Sequence, residues 1–315
     1  MNTVARRICL ALLALYGAYS GVWGYLAPDS WYQDFPGLGL HWVTPFGPYN
    51  EHFVKDINAM FLGAAVLAVV ALVRIGSARL TYLAAATWTT FNVLHLAFHL
   101  RHLDMLGPAD RVAGTVSLGV VLMVSALLLI PSRTTEPVPG QARAGHRVVL
   151  GLLALAAFGT GIWAYVAPAN WYATFPGLGL RWLPQLGPYD EHLAADVGAM
   201  FLAFGVLTAF AFVRAGDHRV LRATGLSWLV FNVLHLIYHL GMLGMYRPTD
   251  QVLNAVLLSV LAVLPLFLLF ATKKRGESRV DGTESGTTAS AGRVHTGAQR
   301  VQGDDAAGNG DPQRY

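Results

Sequence analysis

Six of the eleven histidines in the chain form three pairs 140 positions apart: His52 and His192, His95 and His235, His99 and His239. Asp56 and Asp196 share that spacing, as do Glu51 and Glu191, Asn92 and Asn232, and Trp88 and Trp228. His52 and Asp56 are four apart, and so are His95 and His99, with Asn92 three before His95. On a helix such intervals put side chains on one face, so each pair is a preformed half-site. Imidazole and carboxylate together suit Zn, Fe(II), Mn or Cu better than Ca or Mg. The expected ligands are His52, Asp56, His95 and His99 in one set and His192, Asp196, His235 and His239 in the other. Glu51 and Glu191 are a fifth ligand or a general base beside bound water. Asn92 and Asn232 would hydrogen-bond to the ligands, and Trp88 and Trp228 would wall the pocket.

Other uses of the same residues are a proton relay in a coupled transporter, axial ligation of haem b, and polar glue between helices. Carboxylates beside the ligands argue against haem, and a relay in an alternating-access carrier belongs nearer the bilayer midplane. Asn50 and Asp190 precede helices and read as N-caps, as do Asp110 and Asp250. Glu51 and Glu191 also suit the dipole of the first turn. His102 aligns with Met242 and Lys55 with Ala195, so neither is required for what both copies share.

The elements that must carry these residues are apolar. Of 315 residues, 54% are hydrophobic and 13% charged, about half the charge usual in soluble proteins. Mean hydropathy is +0.46. That composition excludes a soluble domain and a nucleic-acid binder, and the single Cys9 excludes an intrachain disulfide. Eight stretches have the ~20 residues that cross a bilayer core: about 7–27, 51–73, 80–103 and 110–130, then 148–167, 191–213, 220–243 and 250–271. The first stretch resembles a signal peptide, but its counterpart lies mid-chain, so a retained helix is expected.

The chain reads as a tandem duplication. Shifted by 140 positions, residues 31–130 match 171–270 at 45 of 100 positions without a gap. The fold class expected is an all-α membrane protein of eight transmembrane helices in two parallel four-helix repeats. Thirteen Lys and Arg residues fall on one side of that topology (Arg6, Arg7, Arg74, Arg79, Arg133, Arg143, Arg147, Arg214, Arg219, Arg222, Lys273, Lys274, Arg275) and four on the other (Arg101, Arg111, Arg181, Arg247). The bias puts both termini in the cytoplasm of a multi-pass cell-membrane protein, and it accounts for the isoelectric point near 9.3. Asp56 then lies about one turn below the outer surface, with His99 and His95 about one and two turns below it. Consecutive helices usually neighbour one another, so one site per repeat is expected near the outer face.

The expected domains are a first unit over 1–131, a cytoplasmic linker over 132–146, a second unit over 147–272 and a disordered cytoplasmic tail over 273–315. Each long outer loop, 28–50 and 168–190, is rich in aromatic residues, Pro and Gly, which suits a headgroup belt or a lid over a pocket. The run Trp31-Tyr32, Phe35-Pro36-Gly37, Gly39, then Gly47-Pro48-Tyr49-Asn50-Glu51-His52, with Asp56, His95 and His99, resembles uncharacterised four-helix integral membrane proteins of high-GC, actinobacterial-type bacteria. The resemblance implies two fused units over about 5–271 and carries no activity. The functional expectation is a transition-metal protein acting as a metal-dependent oxidoreductase or other enzyme on a lipid-soluble small molecule, with the lipid bilayer as its other partner.

Overall fold

The computed structural model describes residues 1–131 and 140–271, and most of the expected linker and tail lies outside them. The described chain is nearly all helix. The first half contains α1 (Thr3–Leu26), α2 (Pro28–Asp34), a two-residue hairpin β1 (Pro36–Gly37) and β2 (Leu40–His41), α3 (Glu51–Val73), α4 (Ala78–Arg101) and α5 (Pro108–Leu127). The second half contains α6 (Ala144–Val166), α7 (Pro168–Thr174), β3 (Pro176–Gly177), β4 (Leu180–Arg181), α8 (Glu191–Val213), α9 (His218–Gly241) and α10 (Pro248–Leu269). α6 starts inside the segment expected to be linker. Among the described residues, seven helices are long and apolar enough to cross a membrane. α4 has the length but is not one of them, since four Thr, Asn92, two His and two Arg dilute its apolar surface.

The helix ends follow from local chemistry. The side chains of Asn50 and Asp190 accept from the backbone N–H groups of Phe53 and Leu193, fixing where α3 and α8 begin. Ser77 and Asp217 cap α4 and α9 in the same way. Proline opens α2, α5, α7 and α10, where its missing N–H costs nothing.

α3 and α8 are the central helices, buried along most of their length, while α5 presents nearly all of its surface outward. Helix α1 packs along α3 and α6 along α8. These contacts are close: a Cβ on Gly21 would stand 2.9 Å from the Asn58 carbonyl oxygen, and one on Gly198 would stand 2.6 Å from the Tyr165 nitrogen. With α1 on one side of α3, the face of α3 that carries His52 and Asp56 is covered by α9 from the other half. The reciprocal pair is α4 against α8. This corrects the expectation that consecutive spans share their polar faces. At Gly63 a Cβ would meet the Ser227 carbonyl oxygen at 2.7 Å, so α3 and α9 approach backbone to backbone.

Candidate metal centres

Each half-site therefore finds its complement in the opposite half. On α3, His52 and Asp56 occupy the first two turns; on α9, His235 and His239 occupy the last two. His52 Nε2 faces His239 Nε2 at 3.1 Å and Asp56 Oδ2 at 3.1 Å. His235 Nδ1 donates to Asp56 Oδ1 at 2.6 Å. One ligand atom from each of His52, Asp56, His235 and His239 lies within 4.8 Å of all the others.

The second centre repeats the pattern. His192 Nε2 faces His99 Nε2 at 3.1 Å and Asp196 Oδ2 at 3.3 Å, and His95 Nδ1 donates to Asp196 Oδ1 at 2.5 Å. The convergent set here is His95, His99 and His192. Asp196 joins it through the hydrogen bond from His95 and the 3.3 Å contact with His192 Nε2.

These distances suit a transition ion. Two nitrogens ~2.0–2.1 Å from one ion stand ~2.9 Å apart at a right angle and ~3.3 Å apart at the tetrahedral angle. The observed 3.1 Å between facing Nε2 atoms falls between these values. The same spacing is too short for two axial nitrogens flanking a haem plane, ~4 Å apart. Carboxylates bonded to Nδ1 of His235 and His95 would leave Nε2 of those rings as the atom able to take an ion, the usual carboxylate–histidine support of a metal. His52 and His192 concentrate their polar contacts on Nε2, and Nδ1 of each is buried without a hydrogen-bond partner.

Cross-half hydrogen bonds hold the ligand helices. Tyr25, at the end of α1, donates to the Leu234 carbonyl at 2.8 Å, and Tyr165, at the end of α6, donates to the Leu94 carbonyl at 2.8 Å. Both acceptors immediately precede a histidine of a centre. At the other end of the bundle Arg79 of α4 donates to Asp217 at 2.8 Å.

The remaining expected site residues lie outside the clusters. Glu51 is paired with Lys55 Nζ at 3.6 Å, and Glu191 is exposed. Asn92 donates to Ser125 Oγ at 3.2 Å, and Asn232 donates to the Leu261 carbonyl at 2.8 Å, which ties α4 to α5 and α9 to α10. Trp88 donates to the Ala64 carbonyl and Trp228 to Thr208 Oγ1. Trp228 and Asn232 line a cavity beside the α3/α9 centre. Trp88 instead packs against Tyr16 and Phe61.

Other residues at the centres were not singled out from the sequence. Tyr246 Oη lies 2.9 Å from His239 Nδ1, and burial pushes its phenol pKa well above the ordinary value, so it keeps its proton. Phe46 packs its ring against both His99 and His192 at the other centre. The signal for Tyr246 was its mismatch with Leu106 in the 140-residue comparison.

In the loops over 28–50 and 168–190, Trp31, Tyr32, Phe46 and Trp171 are buried. Trp31, Phe35 and Trp42 line the cavity at the α4/α8 centre, while Trp171, Phe175 and Trp182 line the one at the α3/α9 centre. The loops cover the pockets, as a lid does. No family model, curated protein or solved structure matches the chain.

Proposed function

We propose that the protein is a multi-pass metalloprotein of the cell membrane, holding a transition ion at each of two centres near its outer face and acting as an oxidoreductase or other metal-dependent enzyme on a lipid-soluble substrate. In this reading α4 spans as well, giving eight spans in two parallel repeats with both termini cytoplasmic. The observation that carries it is the cross-half convergence of imidazole nitrogens, made twice, with the Asp56 carboxylate among them at α3/α9 and Asp196 bonded to His95 at α4/α8, each beside a largely apolar cavity. Ionisable groups in a span cost ~2.5–3.5 kcal/mol each on insertion scales, which favours a functional reason for them.

An ion held there supplies Lewis-acid or one-electron chemistry. The protein's own part is to orient the ligands and hold protons: Asp56 and Asp196 keep the ring protons of His235 and His95, and the aromatic loops exclude water. A proton relay suits the arrangement less well, because the ligands sit at the first turns of α3 and the last turns of α9, away from the mid-span position that alternating access favours.

The test is metal analysis of detergent-purified protein together with a visible spectrum. Two transition ions per chain are expected, and none in the His95→Ala/His235→Ala double variant, which removes one ligand from each centre. Metal-free wild-type protein, or unchanged metal in that variant, overturns the reading.

A further inference from the structure

The two centres differ where the halves diverge. Beside the α3/α9 centre the buried Tyr246 and Asn254 project into the cavity lining. At the equivalent positions of the α4/α8 centre stand Leu106 and Gly114. A Cβ on Gly114 would meet nothing within 4 Å, so the space that Asn254 fills in one half is open in the other. The cavities follow this difference. The one at α3/α9 holds about 110 Å³ and the one at α4/α8 about 400 Å³. Small-molecule pockets are typically ~300–1,000 Å³, so only the second has the size of a ligand site.

The lining of the larger chamber selects its occupant. Tyr16, Tyr19, Trp31, Phe35, Trp42 and Phe61 supply aromatic faces, and His95, His99 and His192 are also in its lining. Thr115 and Ser117 add hydroxyls, that of Ser20 is engaged by Asn58 and Trp31, and neither Lys nor Arg lines it. The one carboxylate, Asp196, is already bonded by His95 and His192. Apart from an ion held by the three histidines, an anion would find no countercharge in the lining and a cation no free acid. A flat neutral ring would find faces to stack on and imidazoles and hydroxyls to hydrogen-bond.

The geometry points to a division of labour: the α4/α8 centre takes a neutral, ring-containing, lipid-soluble ligand bearing hydrogen-bonding oxygens, of the quinone or phenol class, while Tyr246 and Asn254 close the α3/α9 centre to it. The metal at that site rests on the proposed function; the chamber does not.

The test is equilibrium dialysis of the purified full chain against radiolabelled 2,3-dimethyl-1,4-naphthoquinone, with metal content measured on the same samples. The expected result is one saturable site per chain. Leu106→Tyr/Gly114→Asn, which copies the closed half into the open one, should weaken binding at least tenfold with metal content unchanged. Tyr246→Leu/Asn254→Gly should add a second saturable site. No saturable binding to the wild type, or one site of unchanged affinity in both variants, overturns the inference. If Leu106→Tyr/Gly114→Asn loses its metal, the opened variant decides alone, and a single site there overturns the inference. Metal-free protein that still binds one equivalent refutes the metal reading and leaves the chamber standing.

Discussion

His52 Nε2 and His239 Nε2 face each other at 3.1 Å across 187 positions of sequence, and His192 and His99 do the same across 93. Each contact joins the start of a central helix in one half to the end of a helix in the other. Each cluster is therefore shared between the halves, and neither half contains a whole one.

That pairing predicts which ligand substitutions act together. His52→Ala/His239→Ala touches one centre and should lose one of two bound ions. His52→Ala/His99→Ala touches both and should lose both. Metal counting on the two variants checks this, and the reverse result would restore the arrangement with one centre inside each half.

Tyr25 and Tyr165 reach across to the backbone just before His235 and His95. Removing one such hydroxyl should cost about 1 kcal/mol of stability. It should also weaken the adjoining centre's metal affinity by ~10-fold, as loss of a supporting hydrogen bond near a metal does. Metal competition titrations on Tyr25→Phe and Tyr165→Phe read this, each variant affecting only its own centre.

Gly63 lets α3 lie against the Ser227 carbonyl on α9. Gly63→Leu should force the helices apart at a cost of ~1–3 kcal/mol, as overpacked cores do. The ion at α3/α9 should be lost before that at α4/α8. Equal loss from both centres in a chelator titration would count against this.

Asp190 caps α8 with one carboxylate oxygen, while the other, Oδ2, is buried without a partner. Burial raises its pKa to about 7, against the lowering effect of the Leu193 N–H. The equivalent residue, Asn50, has an amide there and donates to the Pro188 carbonyl at 2.6 Å. A raised folded-state pKa means stability that is full below the unfolded value near 3.8 and lost as pH rises through about 7. Between pH 5.5 and 7 the wild type should therefore lose ~1–2 kcal/mol relative to Asp190→Asn. Melting both proteins across that range checks the sign, and parallel curves would contradict it.

Periodicity and composition were enough to reveal helices, apolar surfaces and the polar faces, because a 3.6-residue repeat and a hydrophobic run are local properties. The caps at Asn50 and Asp190 were legible for the same reason. So was the common depth of His52, Asp56, His95 and His99, since it follows from counting residues from helix ends.

Which half-site meets which was not local. Two copies of the same unit offer the same faces, so α3 has both α4 and α9 as complementary partners, and sequence spacing treats them alike. The choice is made by where α1 packs, by the missing side chain at Gly63 and by hydroxyls reaching from Tyr25 and Tyr165. The sequence determined that two sets of imidazoles and carboxylates lie at one level of a helical membrane protein. Only the tertiary structure decided that each set is shared between halves, because steric fit between distant backbones breaks a tie that residue types leave even.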